Sequence, residues 1–390
     1  MTEAASIEIR ELYKIFGPEP GRYVGAVRNG VSKAELSRAH GHIVGLNNIS
    51  ISMPAGKIHV IMGLSGSGKS TLIRHINRLI EPTSGSIVID GRDILTMSEL
   101  ELRGFRRNET AMVFQRFALL PHRTVMENVT FGLEVRGIDR AKARDTGMRW
   151  IERVGLHGFD QRYPHELSGG MQQRVGLARA LSNDASILLM DEAYSALDPL
   201  IRTDMQTMLL DLQTELRKTI VFITHDLDEA LRLGDRICIL RDGSIVQQGD
   251  SQDIILRPAD DYIARFVKDV NRGRFIKVDA VMVPSFAGDT HSLPKLQTGT
   301  TLEAAAREFT RSASDLALVV GGDGEPLGAI SLRQITAALS SAGSLNSDRH
   351  DVQLMSLDRG GLEGKKSNVE TSFHAGDRSR PSQCSGVTDG

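Results

Sequence analysis

Apolar and polar residues alternate through part of residues 5–16, the mark of a strand with one buried face. Gly45–Ile51 and Lys57–Met62 read as further strands. The second is continuously apolar and β-branched, as a strand covered on both faces must be. Ser32–Arg38 and Thr71–Leu79 carry helical spacing, and residues 98–181 are mostly helical in pattern, with a helix over Arg140–Val154 that ends at Gly155. Ser186–Met190, Ile220–Ile223 and Arg236–Leu240 read as three more buried strands. Strands alternating with helices predict an α/β fold built on a mostly parallel sheet.

Residues 277–340 form a separate block with a β-α-β-β-α pattern: Val278–Met282, Leu302–Phe309, Leu316–Val320, Leu327–Ile330 and Leu332–Leu339. From Gly343 onward the pattern fades. Residues 343–390 hold 8 Leu, Ile, Val or Phe in 48 positions, too few to bury a core, and read as a disordered tail.

Composition narrows the function classes. The chain of 390 residues carries 47 Lys+Arg against 49 Asp+Glu, so it lacks the bulk positive charge of a nucleic-acid binder. Its 2 cysteines, Cys238 and Cys384, have neither disulfide-framework nor metal-ligand spacing, which points to a reducing compartment. No apolar run approaches the ~18 residues of a membrane span, and Met1–Arg10 carries no export signal.

The first candidate chemistry is Gly63-Leu-Ser-Gly-Ser-Gly-Lys-Ser70, which matches G-x4-G-K-[ST] between a strand and a helix. Glycines 63, 66 and 68 let the backbone curl so that N–H groups, with the Ser65 and Ser67 hydroxyls, face phosphate oxygens. The helix running on through Thr71 adds its positive end. Lys69 is expected to bridge the β- and γ-phosphates of ATP, and Ser70 to hold Mg²⁺. The second candidate is Ile187-Leu-Leu-Met-Asp-Glu192, two acids leaving the C-terminal end of a buried strand. Asp191 is expected in the Mg²⁺ shell, and Glu192 as the group that polarises the attacking water.

Between these two sites stands Leu167-Ser-Gly-Gly-Met-Gln-Gln-Arg174, which resembles the signature of ABC-type ATPases. The other elements of that family follow in order: Gln115 in Val113-Phe-Gln-Arg, Asp198 in Ser195-Ala-Leu-Asp, and His225 in Ile223-Thr-His-Asp. The resemblance covers about residues 6–270 and implies a P-loop ATPase fold over 1–272 with a helical subdomain near 98–181. It implies that Gln115 and His225 join Lys69 and Glu192 in catalysis, and that Gln115 also reaches the metal. Phe16, just before Gly17, stands where the family places an adenine-stacking aromatic, with Tyr13 as its competitor. The family closes two such domains head to tail, so Ser168, Gly169, Gly170 and Asp198 are expected to serve the nucleotide of a partner copy.

A narrower resemblance rests on Glu11–Gly17, on the extra segment 22–45, on Val60–Thr71, on Asn77–Thr83 and on Ala193–Arg202. These look like the bacterial importers of quaternary amines: glycine betaine, proline betaine and choline. Tyr194 and Thr224 depart from that pattern, where Phe and Ser are usual, without removing a catalytic group. The block at 277–340 resembles a single CBS motif, through Val278–Pro284 and Asp315–Ile330. The resemblance implies an ATPase homodimer on the cytoplasmic face of the inner membrane, docked on a permease through the groove near Gln115–Pro121. An extracytoplasmic binding protein would then choose the cargo. Other cargoes (polyamines, amino acids, sulfonates) and a soluble ATPase acting on DNA or ribosomes fit less well. The insertion and the C-terminal block oppose the first, and the single cassette without a heptad run opposes the second.

Overall fold

In chain order, β1 (Ile7–Phe16) leads into a short 3₁₀ turn and two small helices, α1 (Val24–Arg28) and α2 (Lys33–His40). The strands β2 (Ile43–Met53) and β3 (Ile58–Met62) precede α3 (Lys69–Ile76), followed by β4 (Ser84–Ile89) and β5 (Arg92–Asp93). Then come α4 (Glu99–Asn108), β6 (Thr110–Val113), α5 (Val125–Val135), α6 (Arg140–Arg153) and α7 (Gly169–Ser182). Next come β7 (Ile187–Asp191), α8 (Pro199–Leu216), β8 (Thr219–Thr224), α9 (Leu227–Leu233), β9 (Arg236–Arg241) and β10 (Ser244–Gly249). Four short helices, α10 (Ser251–Leu256), α11 (Asp261–Phe266), α12 (Arg272–Phe275) and α13 (Val278–Val281), lead into the C-terminal block. That block holds β11 (Val283–Pro284), β12 (Lys295–Gln297), α14 (Leu302–Arg311), β13 (Leu316–Val320), β14 (Pro326–Ser331) and α15 (Leu332–Ser340). This computed structural model describes residues 2–115, 118–284, 292–312 and 314–340. The tail expected from residue 343 lies outside the described residues.

Six strands form the central sheet in the order β10-β9-β3-β8-β7-β6, parallel throughout except for β10. Every residue of β3, β7 and β8 is buried, which accounts for their unbroken apolar runs. The order matters for function. Because β3, β8 and β7 are neighbours, the loops after all three leave from one edge of the sheet.

The structure corrects the sequence reading at several points. A second sheet, β2-β1-β4-β5, is wholly antiparallel, so the fold is mixed. Residues 98–181 are not continuously helical: β6 lies within them and pairs with β7. It is only 4 residues long, so its pattern is swamped by the helices around it. Val278–Met282 is not a strand. Its first residues form the turn α13, closed by Met282 N–H donating to Val278 C=O at 2.8 Å. Its place in the sheet is taken by β12, which pairs in parallel with β13.

The insertion between β1 and β2 folds onto the antiparallel sheet. It buries Tyr13, Ile15, Val27, Leu36 and Val44 in a small core of its own. One core cluster includes residues from Ile58 to Ala338 and joins the six-stranded sheet to the C-terminal block through Ile254, Ile263, Ile276 and Val278. Ile276 is fully buried, and its carbonyl accepts from Leu302 N–H at 2.8 Å. If the two parts share this core, Ile276→Ala leaves a cavity at the junction. Denaturant unfolding should then show a loss of about 2–5 kcal/mol. A loss under ~1 kcal/mol would show that the junction carries little of the packing.

Candidate functional site

β3 delivers the chain to Gly63, which turns through φ +149° so close to β9 that a Cβ would lie 2.2 Å from the Leu240 carbonyl. Gly68, at φ +103°, is packed so near Gly45 that a Cβ would lie 2.7 Å from that carbonyl oxygen. Only glycine satisfies both the dihedral and the approach at these two positions. The loop between them is tied to the β9–β10 turn by Gly243 N–H donating to Ser67 C=O at 3.0 Å. Helix α3 then begins at Lys69, with Gly68 as its N-cap.

Inside this loop Lys69 is 4% exposed. Its ammonium donates to the carbonyls of Gly63 at 2.9 Å and Leu64 at 3.1 Å, and lies 3.7 Å from Glu192 Oε1. Burial pushes its pKa below the usual lysine value, and Glu192 and Asp191 pull it back up. Ser70 Oγ donates to Asp191 Oδ1 at 2.8 Å, and Arg74 lies 3.5 Å from the other carboxylate oxygen.

Glu192 adopts φ +47°, a left-handed conformation uncommon outside glycine. Its N–H donates to Ile223 C=O of β8 at 3.2 Å, and its own carbonyl accepts from Ser195 Oγ at 2.9 Å. So held, Glu192 turns its carboxylate back over the phosphate loop. Oε2 accepts from Gln115 Nε2 at 3.0 Å and lies 3.6 Å from His225 Nδ1. The expected Lys69, Gln115, Asp191, Glu192 and His225 therefore converge at one sheet edge. Gln115 meets Glu192 there, and not the Ser70–Asp191 pair.

The donor set fits a nucleotide and its metal. Ser67 Oγ is buried without a hydrogen-bond partner, a donor waiting inside the loop, while Ser65 and Gly66 are exposed at its rim. Ser70 and Asp191 present a hydroxyl and a carboxylate together, the hard oxygen donors Mg²⁺ takes. Among the described residues no cluster of 3 or more His, Cys, Asp or Glu could hold a metal alone. That suits an ion that draws its other ligands from phosphates and water.

The other expected residues stand apart from this cluster. Phe16 ends β1 with its ring 38% exposed and Lys14 Nζ 5.0 Å from its centroid. It packs on Gly45, where a Cβ would come within 2.6 Å of the ring, and Gly45 is also the residue that crowds Gly68. Tyr13 is 4% exposed and faces the insertion core, with the Arg28 guanidinium 5.2 Å from its ring centroid. Ser168 N-caps α7, accepting from Met171 N–H at 3.3 Å, with Gly169 and Gly170 opening that helix. Asp198 N-caps α8. The phosphate loop is on none of these bonds.

Sequence reasoning missed Ser195, which lies 3.4 Å from Gln115 Nε2, and Arg202, which joins two loops by pairing with Asp226 at 3.3 Å and donating to Leu197 C=O at 3.1 Å. Neither residue type is distinctive at its position, so no local signal marks them. The sequence reading also passed over the Asp242-Gly243 turn that braces the phosphate loop.

Comparison with known proteins agrees with this geometry. The ABC transporter family model matches residues 46–195. The chain is 53% identical over 276 residues to the glycine betaine transport ATP-binding protein OpuAA of Bacillus subtilis, covering 71% of this chain and 66% of that protein, just under two thirds of its length. It is 43% identical over 351 residues to the glycine betaine/proline betaine transport system ATP-binding protein ProV of Escherichia coli, covering 90% of this chain and 87% of that protein. Among solved structures, the dimeric bacterial ABC transporter cassette MJ0796 superposes with a TM-score of 0.54 at 31% identity, over 63% of this chain and 98% of that one. The chain belongs, with the glycine betaine transport ATP-binding proteins, to the ATP-hydrolysing subunits of ABC transporters.

Proposed function

We propose that this chain energises the import of a quaternary-amine osmolyte of the glycine betaine class. It would act as a pair of copies on the cytoplasmic face of the membrane, docked on a permease that an extracytoplasmic binding protein supplies. The observation that carries the cargo is the reach of the likeness to ProV, which extends over 351 residues and so beyond the catalytic cassette alone. Among the described residues no helix is long and apolar enough to cross a membrane, so a separate permease is needed for translocation. The dimer is supported by the likeness to the dimeric cassette MJ0796, and by a signature helix whose start makes no bond to its own phosphate loop.

The roles follow from the contacts. Lys69 exchanges the Gly63 and Leu64 carbonyls for the β- and γ-phosphate oxygens of ATP. Ser70 and Asp191 would hold Mg²⁺, and Gln115 would join its shell only on leaving Glu192; the ion would supply charge neutralisation on the phosphates. Glu192 takes the proton of the water that attacks the γ-phosphorus as the bond to the bridging oxygen breaks. Gln115 and His225, both at its Oε2, orient that carboxylate. Phe16, more exposed than Tyr13, would stack on adenine in place of the Lys14 ammonium now over its ring. Ser168, Gly169, Gly170 and Asp198 serve the nucleotide of the partner copy.

Three measurements test this. Glu192→Gln keeps the shape and removes the basic oxygen. ATP binding should persist while hydrolysis falls by about 10²–10⁴-fold. Turnover within about tenfold of the parent would remove Glu192 from the role of base. Phe16→Ala should weaken ATP binding by about 1–3 kcal/mol, the worth of one aromatic stack, with little change in melting temperature. Tyr13→Ala, in the insertion core, should instead lower the melting temperature; an affinity loss confined to Tyr13→Ala would reverse the assignment. Last, cells lacking the gene should lose uptake of labelled glycine betaine, choline or proline, and regain it with the parent chain but not with Glu192→Gln. Normal uptake of all three, with loss of a polyamine or another amino acid, would move the protein to another cargo.

A further inference from the structure

The nucleotide residues occupy the C-terminal edge of the parallel strands. At the opposite edge a cleft of about 920 Å³ opens between the ATPase and the C-terminal block. Its ATPase wall includes Lys57 and Ile58 at the start of β3, Arg217 just past α8, and Asp235 just before β9. Its other wall includes Arg274 of α12 and Lys277. That volume is in the usual range of small-molecule sites, about 300–1,000 Å³.

The charges of this cleft do not balance. Five basic side chains line it, Lys57, Arg217, Arg232, Arg274 and Lys277, against two acids, Asp235 and Asp250. Both acids are already engaged. Asp250 accepts from the N–H groups of Gln252 and Asp253, each at 2.9 Å, capping α10. Asp235 accepts from Ile58 N–H at 2.8 Å and pairs with Lys57 at 3.4 Å. Arg232 is satisfied too, donating to Gln206 Oε1 at 2.9 Å and Thr207 Oγ1 at 2.8 Å. Arg217, Arg274 and Lys277 remain, and among the described residues their side chains make no ion pair or hydrogen bond. Arg217 is also placed with care. It holds the left-handed conformation at φ 50° that ordinarily calls for glycine after a helix, and its carbonyl lies against Gly56.

We propose that this cleft binds a compact polyanion, a small molecule bearing phosphate or clustered carboxylate groups, held between Arg217 on one wall and Arg274 and Lys277 on the other. Guanidinium forks match both kinds of oxyanion. Three elements join the cleft to the nucleotide edge. β3 is 5 residues long, about 17 Å, and runs from the cleft wall to Gly63. Helix α8 starts at the Asp198 cap and ends beside Arg217; α9 starts at the Asp226 cap, next to His225, and ends at Leu233 in the cleft. An anion drawing Arg274 toward Arg217 therefore bears on elements that carry Asp198, His225 and the phosphate loop, and shifts the rate of hydrolysis.

The test is calorimetric titration of inorganic pyrophosphate, and separately of citrate, into the full chain with its nucleotide site saturated by ADP and Mg²⁺. One anion bound per chain is expected. Arg217→Gln, and the double change Arg274→Gln with Lys277→Gln, should each weaken that binding about tenfold or more, while Lys69→Ala leaves it unchanged. The better-bound probe identifies the oxyanion. The same anion should alter ATP turnover of the parent chain and not of the double variant, whose basal rate is the parent's. Should Arg217→Gln fail to fold, the exposed Arg274 and Lys277 carry the test alone. Absence of binding by both anions, or binding that the double variant keeps, overturns the proposal. Binding does not depend on the transport reading, whereas the effect on hydrolysis rests on it. Failure to bind with intact ATPase activity thus refutes the cleft alone.

Discussion

A lysine ammonium buried at the start of a helix sets the terms for the rest of this molecule. Removing such a charge from water costs several kcal/mol unless close partners replace the lost solvation. For Lys69 the partners are two carbonyls of its own loop and the Glu192 carboxylate. The carbonyls point inward only because Gly63 and Gly68 adopt dihedrals and approaches closed to other residues. The carboxylate is in reach only because β7 and β3 flank β8, and because Glu192 accepts a left-handed backbone. Strand order, glycine placement and local strain thus answer one electrostatic demand.

The legibility of this site in the sequence follows from locality. The phosphate loop is a strand, a turn and a helix start within a few consecutive residues, so its chemistry is written in one stretch. The paired acids follow an apolar run just as locally. What distance decides was hidden. Nothing near Tyr13 shows that residues 24–44 fold back over it, yet that cover buries Tyr13 and leaves Phe16 as the more exposed of the two. β6 is too short to outvote its helical flanks and is fixed only by β7. Val278–Met282 has the composition of a strand. It is held instead as a turn, with Val278 N–H donating to Thr300 C=O at 2.9 Å, and β12 takes the place beside β13. Propensity lost to tertiary hydrogen bonding in each case.

The motif residues that looked purely functional also do structural work, and the two roles are connected. Gly68, Ser168, Asp198 and Asp226 are the N-caps of α3, α7, α8 and α9. A side-chain cap is worth ~1 kcal/mol, and it fixes where the first turn of its helix points. The helices thereby present their free N–H groups and positive ends outward from the caps, the arrangement that attracts phosphate. Asp198 shows how one side chain can serve both roles. Its Oδ1 accepts from both Leu200 and Ile201 N–H at 3.1 Å, so the cap needs a single oxygen. Among the described residues Oδ2 accepts no hydrogen bond.

Arg202 carries the same logic one step further. It sits in the first turn of α8, donates to the Leu197 carbonyl in the loop before the Asp198 cap, and pairs with Asp226, the cap of α9. The loop that holds Asp198 and the loop that holds His225 are therefore clamped by one guanidinium. Its planar fork reaches both loops at once, which a flexible ammonium does less well. Farther along the same helices, Gln206 donates to the buried Glu229 at 3.1 Å, and Arg232 donates to Gln206. Burial raises the pKa of Glu229, and the Gln206 amide opposes that rise. α8 and α9 are thus joined by polar contacts along the first half of α8, from Arg202 to Thr207.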